Sequence, residues 1–276
     1  MFLSRKPVRL AAEVPSPRFE AGWPMRLCLV TAQHPMHAPL GIRRTEREHV
    51  MKRSRVNEIL REGDKFIRSF GYVMPPFAYW TPDKLKAERP AGILDARLGW
   101  DITDYGQGKF DELGLFLFTV RNGRAEDLSR GTGMLYAEKI MISRKHQLSP
   151  MHRHVMKAED IINRGGGKLV LELFMPGPDG GIDRNAEVTV PTDGVIRKLS
   201  AGGLLKLDPG ESVTLLPGVW HAFWGEGGDV LIGEVSTVND DLTDNIFAES
   251  IGRFSNIEED EAPVRLLVSD YERWVA

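Results

Sequence analysis

The sequence predicts an all-β fold, a sandwich or closed barrel, with a few helices confined to its N-terminal side. Two observations carry this expectation. From about residue 114 to about 268, apolar segments of strand length recur at roughly 8–15-residue intervals, with glycine or proline in nearly every gap. No segment between them has the spacing of an amphipathic helix, which an α/β arrangement would need. The chain has 276 residues, 42% hydrophobic and 27% charged, the composition of an ordinary globular protein with one main domain.

Taken in order, residues 1–50 are rich in Arg and Pro and lack periodicity. The apolar run at Leu27-Cys-Leu-Val30 is short for a signal peptide. Met51 opens a new pattern, so residues 1–50 are expected to be an N-terminal extension, dispensable or the product of a mis-assigned start. Residues 51–276 are then a single domain. Val56, Ile59, Leu60, Phe66, Ile67 and Phe70 fall on one face of a helix over about 52–70. Pro75-Pro-Phe-Ala-Tyr-Trp-Thr-Pro82 cannot be a regular helix and is expected to be a rigid segment laid over a surface, as a lid or a dimer arm. Strands are expected at 114–120, 139–143, 168–174, 186–190, 204–207, 212–216 and 230–235. Gly165-Gly-Gly167 lacks the Lys-Ser/Thr of a phosphate loop and is expected to be a tight turn between two strands.

Several function classes are excluded. A net charge of −3 gives no basic footprint for a nucleic acid. No run approaches the roughly 18 apolar residues of a membrane span. The single cysteine, Cys28, forms no internal disulfide, as expected of a cytoplasmic protein.

Three histidines stand out, in Ser149-Pro-Met-His-Arg-His154 and in Leu216-Pro-Gly-Val-Trp-His221. Side chains alternate faces along a strand, so His152 and His154 point the same way and reach one ion. Glu159 adds a hard carboxylate across a short bend, and His221 comes from another strand. Three imidazoles and one carboxylate leave positions open on a six-coordinate Mn(II), Fe(II), Co(II) or Ni(II) ion, where substrate oxygens bind. Asp240, Asp241 and Asp244 lack the glycine and glutamate of a calcium loop and are expected to be turn residues or hydrogen-bond partners for substrate hydroxyls.

The segment His152-x-His154-x4-Glu159-x6-Gly166 resembles the first cupin motif, and Gly210-x5-Leu216-Pro-Gly218-x2-His221 the second. His146 stands for the usual opening glycine of the first motif. In the second, Leu216 stands for proline and Gly225 for asparagine. None of these is a metal ligand. Longer strings are similar to the D-lyxose isomerase family of cupins: Met51-Lys-Arg-Ser54, Pro75 to Pro82, Gly99-Trp-Asp-Ile-Thr-Asp104, Tyr136-Ala-Glu-Lys-Ile-Met-Ile142, Glu159-Asp-Ile-Ile-Asn-Arg-Gly-Gly-Gly167 and Gly233-Glu-Val-Ser-Thr-Val-Asn-Asp-Asp241.

The resemblance implies a cupin (jelly-roll) β-barrel and one divalent metal ion, typically Mn(II), on His152, His154, Glu159 and His221. It also implies interconversion of an aldose with its 2-ketose: D-lyxose with D-xylulose, and D-mannose with D-fructose. A homodimer is the expected assembly. For proton transfer the residues at hand are Lys157, which resembles a family position with an active-site role and which burial beside a dication would turn neutral, and Glu234. A buried carboxylate at 234 must face the metal cavity or pair with an arginine. Glu258 is a further acid, in a run expected to be solvated. The same ligand set would serve an Fe(II) dioxygenase, and a cupin barrel would also serve a non-catalytic sugar-binding module.

Overall fold

The computed structural model of the chain describes residues 50–275. The expected extension thus lies outside the described residues except for Val50, which already belongs to a strand. β1 (Val50–Lys52) leads into α1 (Arg53–Ser69), a 3-10 turn at Pro76–Tyr79, α2 (Pro82–Glu88) and α3 (Ala91–Asp95). Then come β2 (Gly99–Thr103), β3 (Leu115–Asn122), α4 (Ala125–Arg130), β4 (Tyr136–Ser143), β5 (Ser149–His154), β6 (Glu159–Pro176) and β7 (Ile182–Asp183). The chain finishes with β8 (Val188–Thr192), β9 (Val195–Leu199), β10 (Gly203–Leu207), β11 (Ser212–Leu215), β12 (Trp220–Thr237), β13 (Asn245–Phe247), β14 (Asn256–Glu258) and α5 (Tyr271–Trp274).

Ten of these strands form one antiparallel sheet whose spine runs β10-β6-β12-β4-β3-β2, with β11 and β7 on β6, and β5 between β12 and β13. The sheet is apolar on both faces, which is why β3 and β4 read as nearly continuous apolar runs. Leu115, Leu117, Met141 and Ile232 point into the curl, where they meet Leu169, Leu171 and Leu173 of β6. Their neighbours Phe116, Phe118, Ile140, Ile142 and Leu231 point outward and are covered by Val56, Ile59, Leu60 and Ile67 of α1.

α1 is anchored at its first residue. The Arg53 guanidinium is fully buried and bonds to both oxygens of Glu259 (2.8 and 2.9 Å) and both of Asp270 (2.9 and 2.7 Å), tying the helix to the C-terminal segment. β1 lies parallel to β14 beside it. The proline-rich segment also packs on this outer face: Phe77 meets Phe118 with ring centroids 5.3 Å apart, and the Trp100 indole N–H donates to the Ala78 carbonyl at 2.7 Å. It covers the helix side of the sheet and none of the histidines, so it is no lid.

The main departure from expectation is at Gly165–Gly167. This run is a bend inside β6, not a turn between strands. β6 and β12 are each 18 residues long and pair along most of their length, with register breaks between Glu226 and Val230 and between Leu231 and Ile232. There the tri-glycine meets Gly225 to Gly228 of β12. Gly166 has φ +98°, and a Cβ on it would lie 2.1 Å from the Asp229 carbonyl oxygen. A straight strand rises about 3.3 Å per residue, so His221 and Glu234 would stand roughly 40 Å apart on a flat β12. Both instead line one cavity, so the bend is what brings the two ends of β12 together. Replacing Gly166 with alanine therefore collides with backbone and forces a disfavoured φ. It should lower stability by at least about 2 kcal/mol in urea unfolding, whereas Gly194→Ala, in a turn with open space around it, should cost less.

Candidate metal centre

β5 carries His152 and His154 on one face, while Arg153 between them points away and lies over the Trp220 ring, 5.4 Å from its centroid. His221, second residue of β12, pairs directly with His152 across the sheet. One ring nitrogen from each of the three histidines can be chosen so that all lie within 4.8 Å of one another. The Nδ1–H of His152 donates to the Pro150 carbonyl at 2.8 Å, and that of His221 to the Val219 carbonyl at 3.1 Å. That tautomer leaves each Nε2 lone pair free for a cation.

Glu159 opens β6, held between Leu215 of β11 and Ser236 of β12. Its Oε1 lies 3.4 Å from His154 Nε2 and 3.2 Å from His221 Nε2, yet it is buried without a hydrogen-bond partner. A carboxylate oxygen facing unprotonated imidazole nitrogens in a dry site is costly unless a cation lies between them. The donor set of three imidazoles and one carboxylate suits a divalent first-row metal. The four residues expected from sequence therefore converge, and they fit such an ion.

Electrostatics agree. Burial, then the nearby His221 and His154, hold the His152 imidazole well below its ordinary value, so it is neutral and ready to ligate. Burial and the Lys157 cation lower His154 as well. Burial opposes ionisation of Glu159, but the Lys157 cation outweighs it and holds the carboxyl well below the usual carboxylate range.

From Glu159 an alternating chain of charges runs through the cavity wall. Lys157 Nζ sits 2.7 Å from Glu159 Oε2 and 2.9 Å from Glu234 Oε1. Lys139 Nζ is 3.5 Å from Glu234 and 3.5 Å from Asp241. Arg253 then bridges Asp241 at 3.3 Å and Asp101 at 2.9 Å. The Asn239 amide oxygen accepts from Lys139 at 2.6 Å and from Lys157 at 3.4 Å.

Without a cation in the site Lys157 is held charged: burial opposes its charge, but the carboxylates of Glu159 and Glu234 win and raise it above the ordinary lysine value. Glu234 does face the cavity, but its partners are two lysines and no arginine. Lys139 and Lys157 overcome burial and hold it below its ordinary value.

Lys139, Asn239 and Arg253 were missed from sequence, whereas Asp241, expected as a turn residue or a hydrogen-bond partner for hydroxyls, lines the cavity. For Lys139 a signal existed: the alternation on β4 places it on the inner face with Met141, directly opposite Glu234 in the register. Arg253 lies outside the strands and has no periodicity to betray it. Asp240 closes its own turn through the Leu242 and Thr243 amides. Glu258 is exposed on β14, away from the site.

The cavity is small, about 40 Å³. Its ionic wall faces an apolar one that includes Leu115, Leu117, Met141, Phe223 and Phe247. Because Glu234 and Asp241 are both depressed, their contribution to stability is complete above the unfolded carboxylate values near 4.5 and 3.8 and is lost as pH falls through the lower folded ones. The metal-free protein should therefore begin to lose melting temperature as pH falls below about 6.5, where His152 and His154, held neutral in the fold, are protonated in the unfolded chain, and should lose it more steeply below about pH 4 as the carboxylates protonate. In Glu234→Gln that acid loss should be shallower in a thermal-melt series.

Comparisons with known proteins bear on the family and the fold. The family model for D-lyxose isomerase matches residues 51–271. A D-lyxose/D-mannose isomerase from Serratia proteamaculans is 47% identical over 231 residues, covering 82% of this chain and all of that protein. One from Escherichia coli O157:H7 is 43% identical over 229 residues, covering 81% and 100%. Among solved structures, the L-ribose isomerase of Acinetobacter sp. DL28 in complex with L-ribose superposes with a TM-score of 0.53 at 14% identity, covering 76% of this chain and 99% of that one. That likeness establishes the curled, cupin-like fold. With a match over most of its length and two relatives well above 40% identity, the chain belongs to the D-lyxose isomerase family.

Proposed function

We propose that the protein interconverts D-lyxose with D-xylulose, and D-mannose with D-fructose, using one divalent cation, Mn(II), on His152, His154, Glu159 and His221. The observation that carries this reading is the partnerless Glu159 Oε1 beside two imidazole nitrogens, in a cavity whose wall presents alternating acids and bases. The substrates follow from the names of the relatives.

The reaction moves a hydrogen between C1 and C2 and a proton between O1 and O2. When bound, the cation polarises the carbonyl and stabilises negative charge as it develops. The Glu234 carboxylate, held ionised by Lys139 and Lys157, takes the proton from one carbon and returns it to the other. The Lys157 ammonium acts as a hydrogen-bond donor to a sugar oxygen rather than as a base, since both neighbouring carboxylates hold its proton. The apolar wall excludes water while Lys139, Asp241 and Arg253 offer donors and acceptors to the remaining hydroxyls.

Metal-stripped protein supplied with Mn(II) should form ketose from D-lyxose and D-mannose faster than from D-xylose or L-ribose in a colorimetric ketose assay. Glu234→Gln should lower kcat by about 10²–10⁴-fold with KM little changed, and His221→Ala should lose the response to metal. Oxygen uptake with no ketose from any of the four sugars would contradict the proposal.

A further inference from the structure

The three imidazoles of the metal centre are not held alike. His152 and His221 each give their Nδ1–H to a backbone carbonyl. His154 Nδ1 is buried and has no hydrogen-bond partner. An imidazole that ligates through Nε2 carries its proton on Nδ1, and a buried donor without an acceptor is costly.

The carboxylate beside it belongs to Asp244, whose Oδ2 stands 3.9 Å from His154 Nδ1. Asp244 is already engaged. Its Oδ1 accepts the amides of Val155 (2.9 Å) and Met156 (2.7 Å), and its Oδ2 accepts that of Lys157 (3.0 Å). A carboxylate offers about four lone-pair positions. Three are filled by consecutive amides, and the fourth lies on Oδ2, the oxygen near the imidazole. The three amides form the turn that spaces His154 from Glu159. Asn245, next in sequence to Asp244, pairs with His154 between β13 and β5, so the carboxylate is delivered to the ligand by the adjoining strand.

We infer that Asp244 is a positioning residue of the metal centre, accepting the Nδ1–H of His154 when that ring ligates and holding, with the same carboxylate, the 155–157 turn between two ligands. The inference rests on the metal-centre reading above. Asp240, in the same loop, caps only its own turn and serves as the control.

The test is a titration of metal-stripped full-length protein with Mn(II), reading free ion by electron paramagnetic resonance. Asp244→Asn keeps the shape but turns an NH2 toward one of these donors, and should weaken Mn(II) binding by about 10–100-fold. Asp240→Asn should bind as the unsubstituted protein does. A second readout needs no variant: in Zn(II)-loaded unsubstituted protein, a long-range ¹H–¹⁵N correlation should show a protected, hydrogen-bonded proton on His154 Nδ1. Undiminished Mn(II) affinity in Asp244→Asn, an equal loss in Asp240→Asn, or a freely exchanging His154 Nδ1 proton would each overturn the inference. Failure of the unsubstituted protein to bind either metal would instead remove the metal-centre reading itself.

Discussion

Everything in the site depends on one geometric constraint, the shared bend in β6 and β12. The two strands are hydrogen-bonded partners for most of their length, so neither can bend alone. The tri-glycine of β6 and the glycines at 225, 227 and 228 of β12 meet where the ladder breaks register. Without side chains at that point the two backbones approach closely enough to fold over. The result places Glu159 at the start of one strand, and His221 and Glu234 toward opposite ends of the other, around a single cavity.

A second constraint is electrostatic. A cavity lined by Glu159, Glu234, Asp241, Lys139, Lys157 and Arg253 would be prohibitive if these charges were buried singly. They alternate in sign along the wall, each within 3.5 Å of an opposite charge. The one polar atom of Glu159 that this chain leaves without a partner is Oε1, on the side of the histidines. The chain pairs its charges along the wall, and the Glu159 oxygen it leaves unpaired faces the histidines. The same arrangement assigns different work to neighbouring groups, since Lys157 is held charged and the carboxylates are held as bases.

Much of this was legible in the sequence. The His152-x-His154 alternation and the strand pattern after residue 114 gave the ligand pair and the all-β class, because both follow from the two-residue period of a strand. The helix over 53–69 followed from its apolar face. What stayed hidden depended on partners far apart in the chain. The glycine run read as a turn because nothing local shows that β6 continues beyond it. Lys157 was read against a dication alone, because its ion pair with Glu234 of β12 forms only in the closed fold. Arg253 and Asp241 sit outside the strands, and only the closed fold brings them to Lys139 and Asp101.

The most direct test of the metal centre is anomalous diffraction from crystals of the protein grown with Mn(II), collected on both sides of the manganese edge. A single strong peak, bounded by the Nε2 atoms of His152, His154 and His221 and by Glu159 Oε1, is the predicted result. No peak in the cavity, or a peak held by other residues, would contradict it.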